Sequence, residues 1–218
     1  MYQYYPNLDN ALQWIECLSA IVAAFYLPKL KHNYWKWFAI YLIFICAQEL
    51  FVKYLLQHIN FLRKQDYYAF FGIPIQYLFF YWLYALKSLK NKKLFIFSSS
   101  IYLLSLIPFE IYEQKIKTIS TINLTVGSVF IIILVVLEFI KQIKNDDILK
   151  FKENKMFYIN TGMILFYVGT YPFSAFYDEL LKKPNISIWN MYYLYFLISN
   201  CIMYLLFIAS FIWGKHKS

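Results

Sequence analysis

Seven runs of mostly apolar residues divide the chain, and no other feature restricts its fold as strongly. A helix needs about 20 apolar residues to cross the hydrocarbon core of a bilayer. The chain is 61% hydrophobic and 15% charged, whereas soluble domains are about 45–50% apolar and about 25% charged. We therefore predict an all-α membrane protein with seven transmembrane helices in a single domain, residues 1–218. The predicted spans are Ala11–Leu27, Trp37–Gln57, Tyr67–Leu86, Leu94–Tyr112, Ile119–Ile140, Met156–Tyr177 and Ile188–Trp213.

The basic residues are concentrated in the connections on one side of the predicted bundle. Fourteen lysines lie in Pro28–Lys36, Lys87–Lys93, Lys141–Lys155 and Gly214–Ser218, against six basic residues in the connections on the other side. Because lysine-rich loops stay in the cytoplasm, we predict an outside N-terminus, a cytoplasmic C-terminus and a place in a bacterial cytoplasmic membrane. Anionic lipid is the expected partner of the lysine-rich face. Lysine loops without interleaved aromatic residues argue against nucleic acid as a partner.

Three ionisable side chains fall at membrane depth, where such groups are costly and are candidates for function. Glu16 lies in the first span, which is short, so the sequence leaves open whether that span crosses fully. Glu49 and Lys53 lie in the second span, four residues apart, and this spacing predicts an ion pair on one helix face. Together with Gln76 of the third span, these residues form our predicted ligand-binding site.

Helix-breaking residues occur at a similar depth. Pro74, Pro108 and Pro172 lie in the outer halves of three spans, and Gly72 and Gly169 precede two of them, which predicts kinks. Further polar side chains at this depth are Gln13, Gln48, Asn123, Thr170, Tyr171 and Asn190. One interpretation is a polar pocket open to the outside and lined by spans one, two, three, six and seven. The other is a set of buried ion pairs and hydrogen bonds that only holds the bundle together.

Motifs for catalysis and for cofactors are missing from the sequence. The three histidines, His32, His58 and His216, lie in loops and form no zinc pattern, and no Gly-rich phosphate loop or nucleophile elbow occurs. The cysteines Cys17, Cys46 and Cys201 lie in apolar runs and are expected to be free thiols. We expect no cofactor and no metal. A lipid-modifying enzyme that uses Glu16 or Glu49 as acid or base stays open as an alternative.

Two stretches of the chain resemble a known group of proteins. They are Trp37–Phe44 followed by Gln48 and Glu49, and Asn160–Phe173. Both resemble segments of a family of small bacterial membrane proteins with about seven helices, some of which look like neighbours of sensor histidine kinases. The resemblance implies a role in signalling and implies no catalytic residue.

We therefore expect a receptor-like or signalling-accessory protein. It would bind a small ligand or a peptide in the outer pocket and pass a helix shift to a cytoplasmic or membrane protein partner. Two alternatives are a small-solute or proton-coupled transporter and a membrane effector or accessory subunit of a larger system, such as antiviral defence. A homo-oligomer is compatible with the sequence.

Overall fold

A computed structural model of the chain describes residues 5–30, 33–56, 64–107, 121–145, 147–175 and 186–214. These residues are almost entirely helical and contain no β-strand, as the sequence predicts. The predicted kink at Pro108 lies outside the described residues. The α-helices are α1 (Pro6–Tyr26), α2 (Trp35–Leu50), α3 (Lys64–Tyr67), α4 (Ile73–Tyr81), α5 (Lys92–Ser105), α6 (Thr121–Lys144), α7 (Lys155–Ala175) and α8 (Ile186–Ile212).

Five helical segments in the described part of the chain are long and apolar enough to cross a membrane. They are Pro6–Leu30, Trp35–Leu55, Tyr68–Ser88, Ile122–Lys144 and Ser187–Ile212. They correspond to the first, second, third, fifth and seventh predicted spans. The first has 25 residues, which at about 1.5 Å per residue exceeds a hydrocarbon core of about 30 Å.

The fourth and sixth predicted spans have helices that do not meet both criteria. Helix α5 has 14 residues, a length of about 21 Å, and residues 108–120 beyond it are not described. Helix α7 has 21 residues but includes the polar Asn160, Thr161 and Thr170, and it is not one of the five segments. The chain is thus a helical protein with five candidate spans; seven spans and their orientation stay predictions.

Two helical segments contain three π-helical turns, which a sequence pattern does not reveal. Phe51–Leu55 continues α2, while Tyr68–Gly72 and Trp82–Ser88 flank α4, so that Lys64–Ser88 forms one long helical segment. The turn at Tyr68–Gly72 directly precedes Pro74. Proline has no N–H and its ring clashes with the carbonyl one turn earlier. A wider turn at this point accommodates both effects.

The helices pack as a bundle. α1 packs against α2 and α8, α8 against α7, and α7 against α6, while α4 and α5 also contact α6. Large apolar side chains point outward as well as inward: Trp14, Phe25 and Met191 are all more than 60% exposed. Continuous exposed apolar surface is unfavourable in water, and here it fits contact with lipid chains.

An aromatic core fills the centre of the bundle. The rings of Tyr41 and Phe79 stack with their centroids 4.1 Å apart, and Phe38 stacks on Phe211 at 5.7 Å. Phe80 meets Tyr41 edge-on at 5.3 Å. Phe38 and Phe80 are 0% exposed. These residues join α2, α4 and α8 and separate the two ends of the bundle.

Candidate functional site

A polar cavity lies where α1, the end of α2 and the start of the Lys64–Ser88 segment meet. Its volume is about 260 Å³. The polar residues that line it are Asp9, Gln13, Glu16, Glu49, Lys53, Lys64 and Tyr68, and the apolar ones are Leu12 and Val52. We call it the carboxylate cavity, because three acidic side chains face two lysines there. The structure thus brings together three of the four predicted site residues, Glu16, Glu49 and Lys53.

Glu16 provides a carboxylate of the cavity that the described part of the chain leaves without a partner. It lies in the middle of α1, ten residues after Pro6, and its side chain is partly buried. No hydrogen bond or ion pair reaches this carboxylate from the part of the chain that the structure describes. A carboxylate in a half-buried site normally has a partner, so Glu16 retains acceptor capacity for a molecule in the cavity.

Glu49 and Lys53 do not form the predicted ion pair. The hydroxyl of Tyr68 donates to Oε2 of Glu49 at 2.5 Å, and the ammonium of Lys53 donates to Oε1 of Gln13. The reason is the π-helical turn at Phe51–Leu55. The i, i+4 rule applies to a regular α-helix, whereas a π turn has more residues per turn and rotates Lys53 away from Glu49.

Gln76 does not line the carboxylate cavity. It lies in α4, and its Nε2 donates to the hydroxyl of Tyr167 in α7 at 3.0 Å. Its predicted role in ligand binding stays untested, and its observed contact is a cross-link between two helices. The described lining residues lie in the first three predicted spans or, like Asp9 and Lys64, two or three residues before one of them. The predicted contributions of spans six and seven are therefore not found among them.

Two cysteines lie beside the acidic side chains: Cys17 directly follows Glu16 in α1, and Cys46 lies three residues before Glu49 in α2. The thiol of Cys46 in α2 is within 3.3 Å of the sulfur of Cys17 in α1, and both are free thiols, as is Cys201. This contact holds α1 and α2 side by side directly behind Glu16 and Glu49. The two helices that contribute Glu16 and Glu49 are thus in contact next to the cavity.

Sequence reasoning missed two charged residues near the opposite end of α2. Glu138 lies near the end of the fifth predicted span and Lys155 directly precedes the sixth, so neither stands out as a charge at membrane depth, yet they are only 2% and 4% exposed. Glu138 forms a hydrogen bond to Ser88 and an ion pair to Lys141. The one feature of the sequence that could have indicated this ion pair is the spacing of Glu138 and Lys141, which are three residues apart.

The described side chains hold no group of three or more His, Cys, Asp or Glu that could bind a metal ion. What the carboxylate cavity can do chemically is bind a small polar molecule through carboxylate acceptors and ammonium donors. Comparison of the chain with protein-family models, with curated proteins and with solved structures finds no match. The site is therefore interpreted from its own geometry.

Proposed function

We propose that the chain is a receptor-like membrane protein that binds a small amine-bearing ligand in the carboxylate cavity. The observation that carries the proposal is the carboxylate of Glu16, which lines the cavity and accepts no hydrogen bond from the described residues. A ligand ammonium would supply the missing donor. Hydrogen bonds to charged groups contribute about 1.5–3 kcal/mol each, which is enough to select an amine over a neutral analogue.

The charges of the other lining residues support an amine rather than an anion. Lys53 is already engaged by Gln13, and Glu49 is oriented by Tyr68. Asp9 adds a third acid and Lys64 a second base. A cavity of about 260 Å³ lies just below the range of about 300–1,000 Å³ that drug-sized ligands occupy, so it suits a molecule of metabolite size.

The aromatic core supports a receptor over a transporter. Tyr41 lies eight residues before Glu49 in α2, about 12 Å further along the helix. At that level Tyr41, Phe79 and Phe80 are in ring contact with one another. A transporter needs a route for its solute through this layer. A receptor needs only a change of conformation when a ligand binds in its cavity.

Helix contacts offer a route for a ligand signal. A ligand held between Glu16 and Glu49 would change the spacing of α1 and α2. α1 packs on α8, α8 on α7 and α7 on α6. A shift of α1 would therefore displace α8 and, through it, α7 and α6. We propose that a partner protein at the lysine-rich face reads this shift.

Thermal unfolding of the purified protein in detergent tests the proposal. The probes are propylamine and propionate, which have the same length and opposite charge. We expect propylamine to raise the unfolding temperature and propionate to leave it unchanged. Glu16→Gln should weaken the propylamine effect about tenfold in apparent affinity, equal to about 1.4 kcal/mol.

Gln76→Met is the matched control, because Gln76 is polar and intramembrane but does not line the cavity. It should keep the propylamine effect even if it lowers the unfolding temperature itself. The proposal is wrong if both probes act equally, if neither acts, or if Glu16→Gln responds to propylamine as the unchanged protein does.

A further inference from the structure

A second cavity lies at the opposite end of α2 from the carboxylate cavity. Its volume is about 140 Å³. Trp35 at the start of α2 lines it, together with Ser88, Glu138, Lys141, Gln142, Lys150 and Lys155. Trp35 and Glu49 are fourteen residues apart in sequence, about 21 Å along the helix. We call this site the lysine cavity, and it does not depend on the function proposed for the other one.

Two of its charges compensate each other within the protein. Oε2 of Glu138 accepts from the hydroxyl of Ser88 at 2.6 Å, and Oε1 lies 3.5 Å from the ammonium of Lys141. Lys141 also donates to the carbonyl of Ser88 at 2.9 Å. A buried carboxylate with these partners is satisfied. Glu138 and Lys141 therefore leave no net charge for a ligand.

Lys155 is different, because it is buried without an anionic partner. The residue is 4% exposed, and no carboxylate of the described residues lies within ion-pair distance. Its ammonium lies 5.1 Å from the ring centre of Phe211 and 6.0 Å from that of Trp35. Burial lowers the pKa of this lysine to about 8. Aromatic faces attract a cation but provide no hydrogen-bond acceptor in the ring plane.

The N-terminus of α7 points to the same kind of ligand. Oδ1 of Asn154 accepts from the backbone N–H of Met156 at 3.0 Å and caps the helix at the cavity wall. The N-terminus of a 21-residue helix carries a partial positive charge that favours anions. Lys150 adds a further cation from the preceding 3₁₀ turn. Glu153 is the one acid of the lining besides Glu138.

One acceptor of the cavity is also unsatisfied. Oε1 of Gln142 is enclosed and receives no hydrogen bond from the described residues, although Nε2 of the same amide lies 3.5 Å from Glu138. Gln142 is 2% exposed. A buried acceptor without a donor is unfavourable. A ligand that carries a hydroxyl beside its anionic group would satisfy it.

We propose that the lysine cavity binds a phosphate group, through Lys155, Lys150 and the N-terminus of α7, with a neighbouring ligand hydroxyl donating to Gln142. A phosphate offers several acceptor oxygens to donors that converge from different directions. The volume fits a headgroup such as glycerol phosphate. The phosphate comes either from a lipid headgroup or from a soluble phosphate ester.

Two measurements on the full chain separate these sources. Native mass spectrometry in detergent counts bound phosphatidylglycerol against phosphatidylcholine. Thermal unfolding measures the response to glycerol 3-phosphate, which has the same headgroup chemistry without acyl chains. We expect selective retention of phosphatidylglycerol, a stabilising response to glycerol 3-phosphate, or both, according to the source.

Lys155→Met keeps the apolar packing over Trp35 and Phe211 and removes the ammonium. It should reduce phosphatidylglycerol retention and the response to glycerol 3-phosphate by about tenfold, equal to about 1.4 kcal/mol. Lys150→Gln, on an exposed side chain, gives a second test that leaves the core intact. Lys93→Gln is the control, because Lys93 is exposed near the same end and lies outside the cavity.

The proposal is overturned if the protein retains neither lipid selectively and does not respond to glycerol 3-phosphate. It is equally overturned if the Lys155 and Lys150 variants behave as the Lys93 variant does. Selective binding through lysine-rich loops in general would give that second result, since all three substitutions remove one positive charge from the same end.

Discussion

Replacing Ser88 by alanine should destabilise the bundle more than the loss of an ordinary serine hydroxyl does. Ser88 is 6% exposed, and its hydroxyl donates to Oε2 of Glu138 at 2.6 Å. Glu138 is 2% exposed, so water does not replace the lost donor easily. The substitution removes the hydroxyl group and leaves the charged carboxylate of Glu138 with one hydrogen-bond donor fewer.

The size of the effect follows from the charge of the acceptor. A hydrogen bond to a charged group contributes about 1.5–3 kcal/mol, against about 0.5–1.5 kcal/mol for a neutral one. Lys141 loses its hydrogen bond to the Ser88 hydroxyl at 3.0 Å after the change, but it keeps the one to the carbonyl of Ser88 at 2.9 Å. We therefore expect Ser88→Ala to lower the free energy of unfolding by about 1.5–3 kcal/mol.

Ser210→Ala is the matched control. Ser210 is 1% exposed, and its hydroxyl donates to the carbonyl of Phe207 in its own helix at 2.7 Å. That carbonyl is neutral, so we expect a smaller loss, within the range of about 0.5–1.5 kcal/mol for a neutral hydrogen bond. Reversible unfolding in mixed micelles of increasing SDS content, followed by circular dichroism, measures both variants.

Equal destabilisation by the two substitutions would refute the reasoning, because it would show that the charge of Glu138 does not matter. A double-mutant cycle with Glu138→Gln separates the pair from general packing. We expect a coupling energy of about 1 kcal/mol or more between Ser88 and Glu138. A coupling near zero would mean that the carboxylate finds water as an alternative donor.

Three further predictions concern other contacts. Copper-phenanthroline oxidation should join Cys17 to Cys46, whose sulfurs are 3.3 Å apart, which lowers the intact mass by about 2 Da and protects both thiols from alkylation. Gly127→Ala should cost about 1–3 kcal/mol by overpacking, because an added Cβ would lie 2.5 Å from the ring of Tyr77; unfolding in SDS measures this. Binding of phosphatidylglycerol should weaken as the pH rises through about 8. Burial lowers the pKa of Lys155 to about 8, so its ammonium loses its charge in this range. Lipid retention at pH 6.5 and pH 9.5 measures the effect.

Cys201 should stay alkylatable after oxidation, and a Cys46→Ser variant that still loses 2 Da would disprove the pairing. Gly162→Ala should be milder than Gly127→Ala, since its nearest atoms lie at 3.3 Å. If retention of phosphatidylglycerol is the same at pH 6.5 and pH 9.5, the lipid does not bind through the ammonium of Lys155.

The other titratable groups that face Lys155 define the pH window of that last test. They are Tyr34, Glu138, Lys141, Lys150 and Glu153. Burial and the charge of Glu138 raise the pKa of Tyr34 to about 12, which lies above the window. Phosphatidylglycerol is a phosphodiester and keeps a constant charge over the same range, so a change in its binding reports on the protein.

The helical class and most of the long apolar helices could be predicted from the sequence. Hydrophobic length is a local property, so Trp35–Leu55 and Tyr68–Ser88 begin and end within a few residues of the predicted spans. The π-helical turns could not be predicted. They arise where the backbone adjusts to Pro74 and to tertiary contacts, and periodicity assumes a regular helix.

The candidate site was predicted in part for the same reason. Glu16, Glu49 and Lys53 are conspicuous because charged groups are rare at membrane depth, and the structure places them around one cavity. Gln76 is a predicted site residue only because of its depth in the third span. Depth does not say which way a side chain points, and Gln76 points to Tyr167.

The sequence by itself determined that the chain is helical, apolar and built for a lipid environment, because those properties follow from composition and from the length of apolar runs. Only the tertiary structure decided which charges are satisfied. Glu138 lies near the end of one predicted span and Lys155 just before another, and neither is conspicuous in the sequence. Among the described residues, however, the first has a serine and a lysine as partners, whereas the second has two aromatic rings and no carboxylate. Partners come from helices far apart in the chain, so only their packing can determine whether a buried charge is compensated.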